Sequence, residues 1–77
     1  MVDYSTIIEV DPEVMMGKPV IKGTRITVDM ILEELAAGVS LPELVQAHPR
    51  LTLEGAYAAL AFAADAIKGV KSYPISG

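Results

Sequence analysis

The segment 53–68 is apolar on nearly every side, and it constrains the fold of this 77-residue chain more than any other feature. Its only charged residues are Glu54, Asp65 and Lys68. The spacing predicts a helix that begins near Thr52 and ends near Lys68. A helix that is apolar nearly all round is buried on more than one side. The other elements of so short a chain cannot easily provide that cover.

Size and composition point to support from another chain. A single domain of this length, residues 1–77, buries only about 60% of the surface that its unfolded chain exposes. Small domains usually gain stability from a disulfide, a metal or a partner. The chain has no Cys and one His, which excludes a disulfide and a Cys-rich zinc site. A partner chain is the support that remains.

Charge and hydropathy bear on the partner and the compartment. The net charge is -4, and the six Lys and Arg residues form no stripe along the chain. Since affinity for DNA comes largely from Lys and Arg on phosphates, this balance favours a basic protein partner over a nucleic acid. We find no signal-peptide pattern and no run of about 20 apolar residues. We therefore expect a cytoplasmic protein that does not enter a membrane.

The N-terminal part, residues 6–26, is predicted to be rich in β-structure. Residues 7–10 are mostly β-branched and read as a strand that ends at a turn. After a break, Val20 and Ile21 resume the extended pattern. The Lys22-Gly23 pair then precedes another run of β-formers. This arrangement predicts a tight hairpin about Lys22-Gly23.

Residues 27–68 are predicted to form three helices, followed by a flexible tail over 69–77. Thr27 is a plausible N-cap for the first helix, and Gly38 a natural stop. Ser40-x-x-Glu43 is a capping box that opens the second helix, which ends at His48-Pro49. The second helix, a short turn and the long third helix have the proportions of a helix-turn-helix.

The apolar excess of the last helix predicts an interface. We expect its core stripe to be Leu53, Tyr57, Leu60, Ala64 and Ile67. A second surface around Ala58 and Phe62 would then meet another chain, as a homodimer or with a different protein. The competing interpretation is that alanine is simply a good helix former whose back face is exposed.

Three separated blocks of the sequence resemble the bacterial domain of unknown function 433 family. The resemblance covers about residues 7 to 68. Its most specific parts are Gly17-Lys18-Pro19-Val20-Ile21-Lys22-Gly23-Thr24-Arg25-Ile26, Ala37-Gly38-Val39-Ser40 and His48-Pro49-Arg50-Leu51-Thr52. It implies a mainly α fold: a short N-terminal β-hairpin followed by a three-helix, homeodomain-like helix-turn-helix bundle. It also implies a function, because such proteins often accompany a PIN-like ribonuclease as the antitoxin of a toxin–antitoxin pair.

The basic residues are the candidate contacts to such a partner. Lys22 and Arg25 flank Gly23, where two cations can hold a phosphate or a partner's carboxylates. The competing interpretation is that Arg25 pairs within the domain with Asp29 or Glu33. A PIN-like nuclease carries a cluster of acidic metal ligands, which an antitoxin cation can pair with. Lys68 and Lys71, which lead into the tail, are equally suited to that role. The sequence does not choose between the two places, the hairpin turn and the start of the tail.

The competing hypothesis is that the protein is a DNA-binding transcriptional regulator. It would act by itself or as the autorepressor of its own operon. A helix-turn-helix places the first residues of its last helix in the major groove. Here residues 53–58 include no common base reader except, weakly, Glu54. Arg50 is placed in the turn, from which it can contact a phosphate. Residue chemistry therefore supports packing more than base recognition.

We predict no enzymatic activity. His48 is the only imidazole, and nothing at ligand spacing accompanies it. The serines lack a nucleophile-elbow motif. We therefore expect no catalytic residue, no metal, no cofactor and no small-molecule substrate.

Overall fold

The computed structural model describes residues 4–69, which form a two-stranded hairpin followed by three helices. Residues 70–77 of the predicted flexible tail lie outside the described residues. The strands and helices are β1 (Ile8–Val10), β2 (Pro19–Ile21), α1 (Val28–Ala36), α2 (Leu41–Ala47) and α3 (Leu53–Lys68), with 3-10 turns at Tyr4–Thr6 and Met15–Gly17. The predicted fold class is confirmed. No helix within residues 4–69 is long and apolar enough to cross a membrane.

The hairpin pairs different segments from those that the sequence suggested. β1 and β2 are antiparallel, with Ile8 opposite Ile21. The tight turn at Lys22-Gly23 is present, since the Thr24 amide donates to the Ile21 carbonyl at 2.9 Å. The chain after that turn adds only one bridge, between Val20 and Thr27, and not a second arm.

Two side chains explain why that second arm does not form. The Thr24 hydroxyl donates to the Ile21 carbonyl at 2.7 Å and accepts from the Ile26 amide at 3.0 Å. These bonds close the turn locally. Thr27 then accepts from the Met30 amide at 3.1 Å and so begins α1 immediately. The segment from 24 to 27 is therefore used for a turn and a helix cap.

The helix ends follow the predicted local signals. In α2, the Ser40 hydroxyl accepts from the Glu43 amide at 3.3 Å, and the Glu43 carboxylate accepts from the Ser40 amide at 3.1 Å. The side-chain and backbone hydrogen bonds with Ser40 lower the pKa of Glu43. α3 is capped by Thr52, which accepts from the Gly55 amide at 2.9 Å. Gly38 ends α1 with a φ of 99°, which favours glycine.

The core lies between the hairpin, α1, α2 and one face of α3. That face presents mainly small residues: Ala56, Ala58 and Ala59 are fully buried, Gly55 is also buried, and the half-buried Phe62 packs against the core beside them. The large buried side chains come from the other elements: Ile8, Val20, Ile21, Val28, Ile31, Leu44 and Leu51. Small residues on α3 therefore let the neighbouring elements approach its backbone closely.

The predicted orientation of α3 is wrong. Of the stripe expected to face the core, Leu53 is 47%, Tyr57 45% and Ile67 69% exposed. Both sides of this helix are apolar, so periodicity alone could not choose between them. The narrow space beside large core residues accommodates alanine, and Leu53, Tyr57 and Ile67 therefore face outward.

This orientation also bears on the interface predicted at Ala58 and Phe62. Ala58 is fully buried within its own chain, so a partner cannot reach its side chain in this fold. Phe62 is half-buried, and its ring packs edge-on against Tyr4 with ring centroids 5.4 Å apart. Phe62 retains one accessible side, which lines an apolar groove of about 310 Å³ with Val28, Leu32 and Ile67.

We predict that Leu44→Ala destabilises the fold by about 2–5 kcal/mol, because it removes a fully buried side chain from a core that cannot collapse into the space. Met16→Ala is the control, since Met16 is 94% exposed, and it should change stability by less than about 0.5 kcal/mol. Urea unfolding followed by circular dichroism measures both. Equal losses of stability in Leu44→Ala and Met16→Ala would contradict the described core.

Candidate functional site

A cleft of about 640 Å³ opens between the Gly23 turn and the connection from α2 to α3. Two arginines line it, Arg25 from the turn and Arg50 from the connection. The remaining lining residues are Val14, Gly23, Thr24, Ile26, Met30, His48 and Pro49. The fold thus brings together two cations that are 25 positions apart in the sequence.

Arg50 connects the two walls of this cleft. Its Nη2 donates to the Gly23 carbonyl oxygen at 3.0 Å, although the residues are 27 positions apart. A guanidinium has five N–H donors, so this bond leaves others for a ligand. The side chain is exposed. Arg50 is therefore partly ordered by the protein and still able to bind an anion.

Lys22 and Arg25 add positive charge that no neighbouring carboxylate neutralises. Both are exposed, and no ion pair among residues 4–69 includes Lys22, Arg25 or Arg50. Lys22 is adjacent to Gly23 but does not line the cleft. Asp29, one of the two internal partners considered for Arg25, instead contacts Lys18 at 3.2 Å. The described contacts therefore favour Arg25 as a binding residue.

His48 lies in the cleft wall and contacts an acid on α1. Its Nε2 is 2.9 Å from Oε2 of Glu34, and both side chains are about one-third exposed or less. The contact fixes the end of α2 against α1. Within residues 4–69, no group of three or more His, Asp or Glu side chains is arranged to hold a metal ion.

The apolar lining gives the cleft a second property. Val14, Ile26, Met30 and Pro49 border the same space as the two arginines. Apolar surroundings lower the local dielectric constant and strengthen the attraction between a guanidinium and an anion. The cleft therefore suits an anionic group carried on a larger molecule that also contacts apolar surface.

The other predicted partner-binding residues lie elsewhere. Lys68 is at the C-terminal end of α3, where its Nζ is 3.7 Å from Oδ1 of Asp65. Lys71 lies outside the described residues. Of the described residues at the two places that the sequence left open, Arg25 lines the cleft and Lys68 does not. The sequence offered no signal that Arg50 would join it, because that contact is made through tertiary structure.

We predict that Gly23→Ala destabilises the protein by about 1–2 kcal/mol. Gly23 has a φ of 78°, and a Cβ added there meets nothing within 4 Å, so the effect is backbone strain and not a clash. Gly69→Ala is the matched control, because Gly69 has a right-handed φ of -80°. Thermal and urea unfolding of both variants measure the difference. A larger effect at Gly69 would contradict the described turn.

Comparisons with known proteins agree with this architecture. A family model described as "Protein of unknown function (DUF433)" matches residues 8–63. The crystal structure of a DUF433 member protein from Anabaena variabilis ATCC 29413 is similar, with 28% sequence identity and a TM-score of 0.78. The similarity covers 83% of this chain and 63% of that chain, so this chain spans less than two thirds of that structure's length. No curated protein matches significantly.

Proposed function

The chain belongs to the DUF433 family, and from its cationic cleft we propose that it is an antitoxin-like protein that binds and neutralises a PIN-like ribonuclease. One observation carries the proposal: Arg25 and Arg50 line the same cleft in a chain whose net charge is -4. Because such a ribonuclease meets its RNA in the cytoplasm, we place the complex there. The protein acts by binding and has no catalytic step of its own.

The chemistry of the cleft matches the acidic site implied for such a nuclease. A guanidinium is planar and always charged, and it binds a carboxylate through two parallel N–H donors. Arg25 and Arg50 together offer this geometry to neighbouring carboxylates. Carboxylates held in this way cannot bind a metal ion or admit RNA. Neutralisation is therefore occlusion of the nuclease site.

The contact between Arg50 and Gly23 favours tight binding. A long side chain loses rotamer freedom when it is fixed at an interface, which opposes association. The hydrogen bond at 3.0 Å already restricts the Arg50 guanidinium before a partner arrives. Less freedom remains to be lost on binding. Lys22, which is exposed beside the cleft, adds a long-range attraction to acidic surfaces.

We predict that Arg25→Gln and Arg50→Gln each weaken binding to a PIN-like nuclease, sought first among the products of neighbouring genes, by about 10- to 100-fold. Losing one partner of a desolvated charge pair typically has an effect of that size. Lys18→Gln is the matched control, since Lys18 pairs with Asp29 and lies outside the cleft. Calorimetric titration and a ribonuclease assay measure binding and inhibition.

Arg50→Lys separates charge from geometry in the same assay. Lysine keeps the charge but loses the two-pronged donor, so affinity should fall nearly as far as with Arg50→Gln. Two results would contradict the proposal. One is the absence of a complex with the wild-type protein. The other is a loss of affinity from Lys18→Gln as large as that from Arg25→Gln.

A DNA-binding regulator is the second candidate, because Arg50 is exposed in the turn of the helix-turn-helix. Lys22 and Arg25 lie on the neighbouring turn, so three cations are available to phosphates. The start of α3 argues against base recognition. Its exposed side chains are Leu53, Glu54 and Tyr57, and the negative charge of Glu54 is unfavourable beside phosphate. Any DNA binding should then show little sequence preference.

If the protein binds DNA through these three cations, it makes three phosphate contacts. A plot of the logarithm of the binding constant against the logarithm of the salt concentration should then have a slope of about -2.7. Arg50→Ala should reduce the magnitude of that slope by about 1. Fluorescence anisotropy with upstream DNA measures both values. Failure to bind at about 50 mM salt would eliminate this candidate.

A further inference from the structure

The outward face of α3 has the residue spacing of a coiled-coil seam. Its apolar residues are separated alternately by four and three positions: Leu53, Tyr57, Leu60, Ala64 and Ile67. This spacing matches the pattern by which one helix packs along another. We call these five residues the α3 seam.

Nothing in the described part of the chain covers the α3 seam. The hairpin, α1, α2 and the turn at Tyr4–Thr6 contact α3 from its alanine side. Leu53, Tyr57 and Ile67 are each about half exposed or more, and Leu60 is half-buried without belonging to the core cluster. Residues 4–69 thus leave a contiguous apolar surface uncovered, which is typical of an interaction site.

We propose that the α3 seam binds the same seam of a second copy of this chain, with the two helices antiparallel. Charge complementarity identifies the occupant. Glu54 and Lys68 each follow a seam residue by one position, so they lie on the same flank at opposite ends of the helix. They are separated by about 21 Å along the axis. Antiparallel pairing brings Glu54 of each copy to Lys68 of the other.

The parallel arrangement lacks this charge complementarity. Parallel helices related by a two-fold axis would place equivalent flanks on opposite sides of the seam, so neither Glu54 nor Lys68 would meet an opposite charge. Among the described residues of one chain, the ion pair of Lys68 is a surface contact of 3.7 Å with Asp65, and the Lys68 side chain is 70% exposed. Such contacts contribute little. The Lys68 ammonium is therefore available to a second copy.

Side-chain sizes are complementary in the same arrangement. The centre of the α3 seam lies at Leu60, next to the small residue Ala61. Tyr57 and Ala64 lie at nearly equal distances on either side of that centre. A two-fold axis near the centre therefore places the bulky Tyr57 of each copy near the small Ala64 of the other. An interface of this kind is closed and self-complementary.

The dimer does not depend on the proposed function. No residue of α3 lines the cationic cleft. A dimer built on the α3 seam therefore leaves both clefts accessible to a partner. Loss of one activity by mutation need not affect the other.

The association itself is tested by sedimentation equilibrium over a concentration series of the full chain. We expect a dimer of the 8.2 kDa chain, and a dissociation constant raised at least tenfold by Ile67→Glu. Ile67 is 69% exposed, so this change should leave the fold intact, as circular dichroism can check. Met16→Glu is the matched control at another exposed apolar residue and should have no effect. Two results would overturn the proposal. One is a wild-type protein that stays monomeric at about 1 mM, and the other is an equal loss of dimer affinity in Ile67→Glu and Met16→Glu.

The orientation is tested by reversing charges. Glu54→Lys and Lys68→Glu should each raise the dissociation constant by about 3- to 10-fold, because each places like charges together. The double variant restores opposite charges and should return to within about twofold of the wild type. In a parallel dimer these residues would not face each other, so the single reversals would leave the dissociation constant nearly unchanged. Single variants without effect, or a double variant that stays weak, would overturn antiparallel packing.

Discussion

The close approach of the other elements to the alanine face of α3 is the constraint on which the structure depends. Ala56, Ala58 and Ala59 are fully buried, and the hairpin, α1 and α2 all contact α3. Larger side chains from those elements, such as Ile31 and Leu44, fill the space in front of the methyl groups. Leu53, Tyr57 and Ile67 of α3 are consequently exposed, while Phe62 is half-buried against the core. The compact core and the exposed apolar seam have the same physical origin.

The fold also creates a cationic cleft in an acidic protein. The left-handed conformation of Gly23 turns the chain back beside the connection between α2 and α3. Arg25 and Arg50 then line one cleft, while Lys18 lies 3.2 Å from Asp29 and outside that cleft. Net charge describes the average surface of this protein. The local arrangement of charges determines which partner its cleft can attract.

Local features of the fold could be predicted from the sequence, while long-range features could not. Thr27, Ser40 and Thr52 cap helices through bonds to amides three residues away, so a short sequence window contains the whole interaction. The orientation of α3 was not predictable, because both faces satisfy a helical apolar period. The cleft was only half predictable: Arg25 beside Gly23 suggested an anion site, but the approach of Arg50 requires the complete fold. Residues 70–77 of the tail, including Lys71, lie outside the described residues.

The two-walled construction of the cleft links binding to folding. Its arginines belong to separate segments, and they line one space only when the chain is folded. A ligand that engages both therefore binds the native state and not the unfolded chain, and it shifts the folding equilibrium by mass action. At a free concentration 100 times its dissociation constant, such a ligand adds about 2.7 kcal/mol of stability. For a domain this small, that is a large fraction of the total free energy of unfolding. The partner concentration would therefore set how long the protein survives proteolysis in a cell.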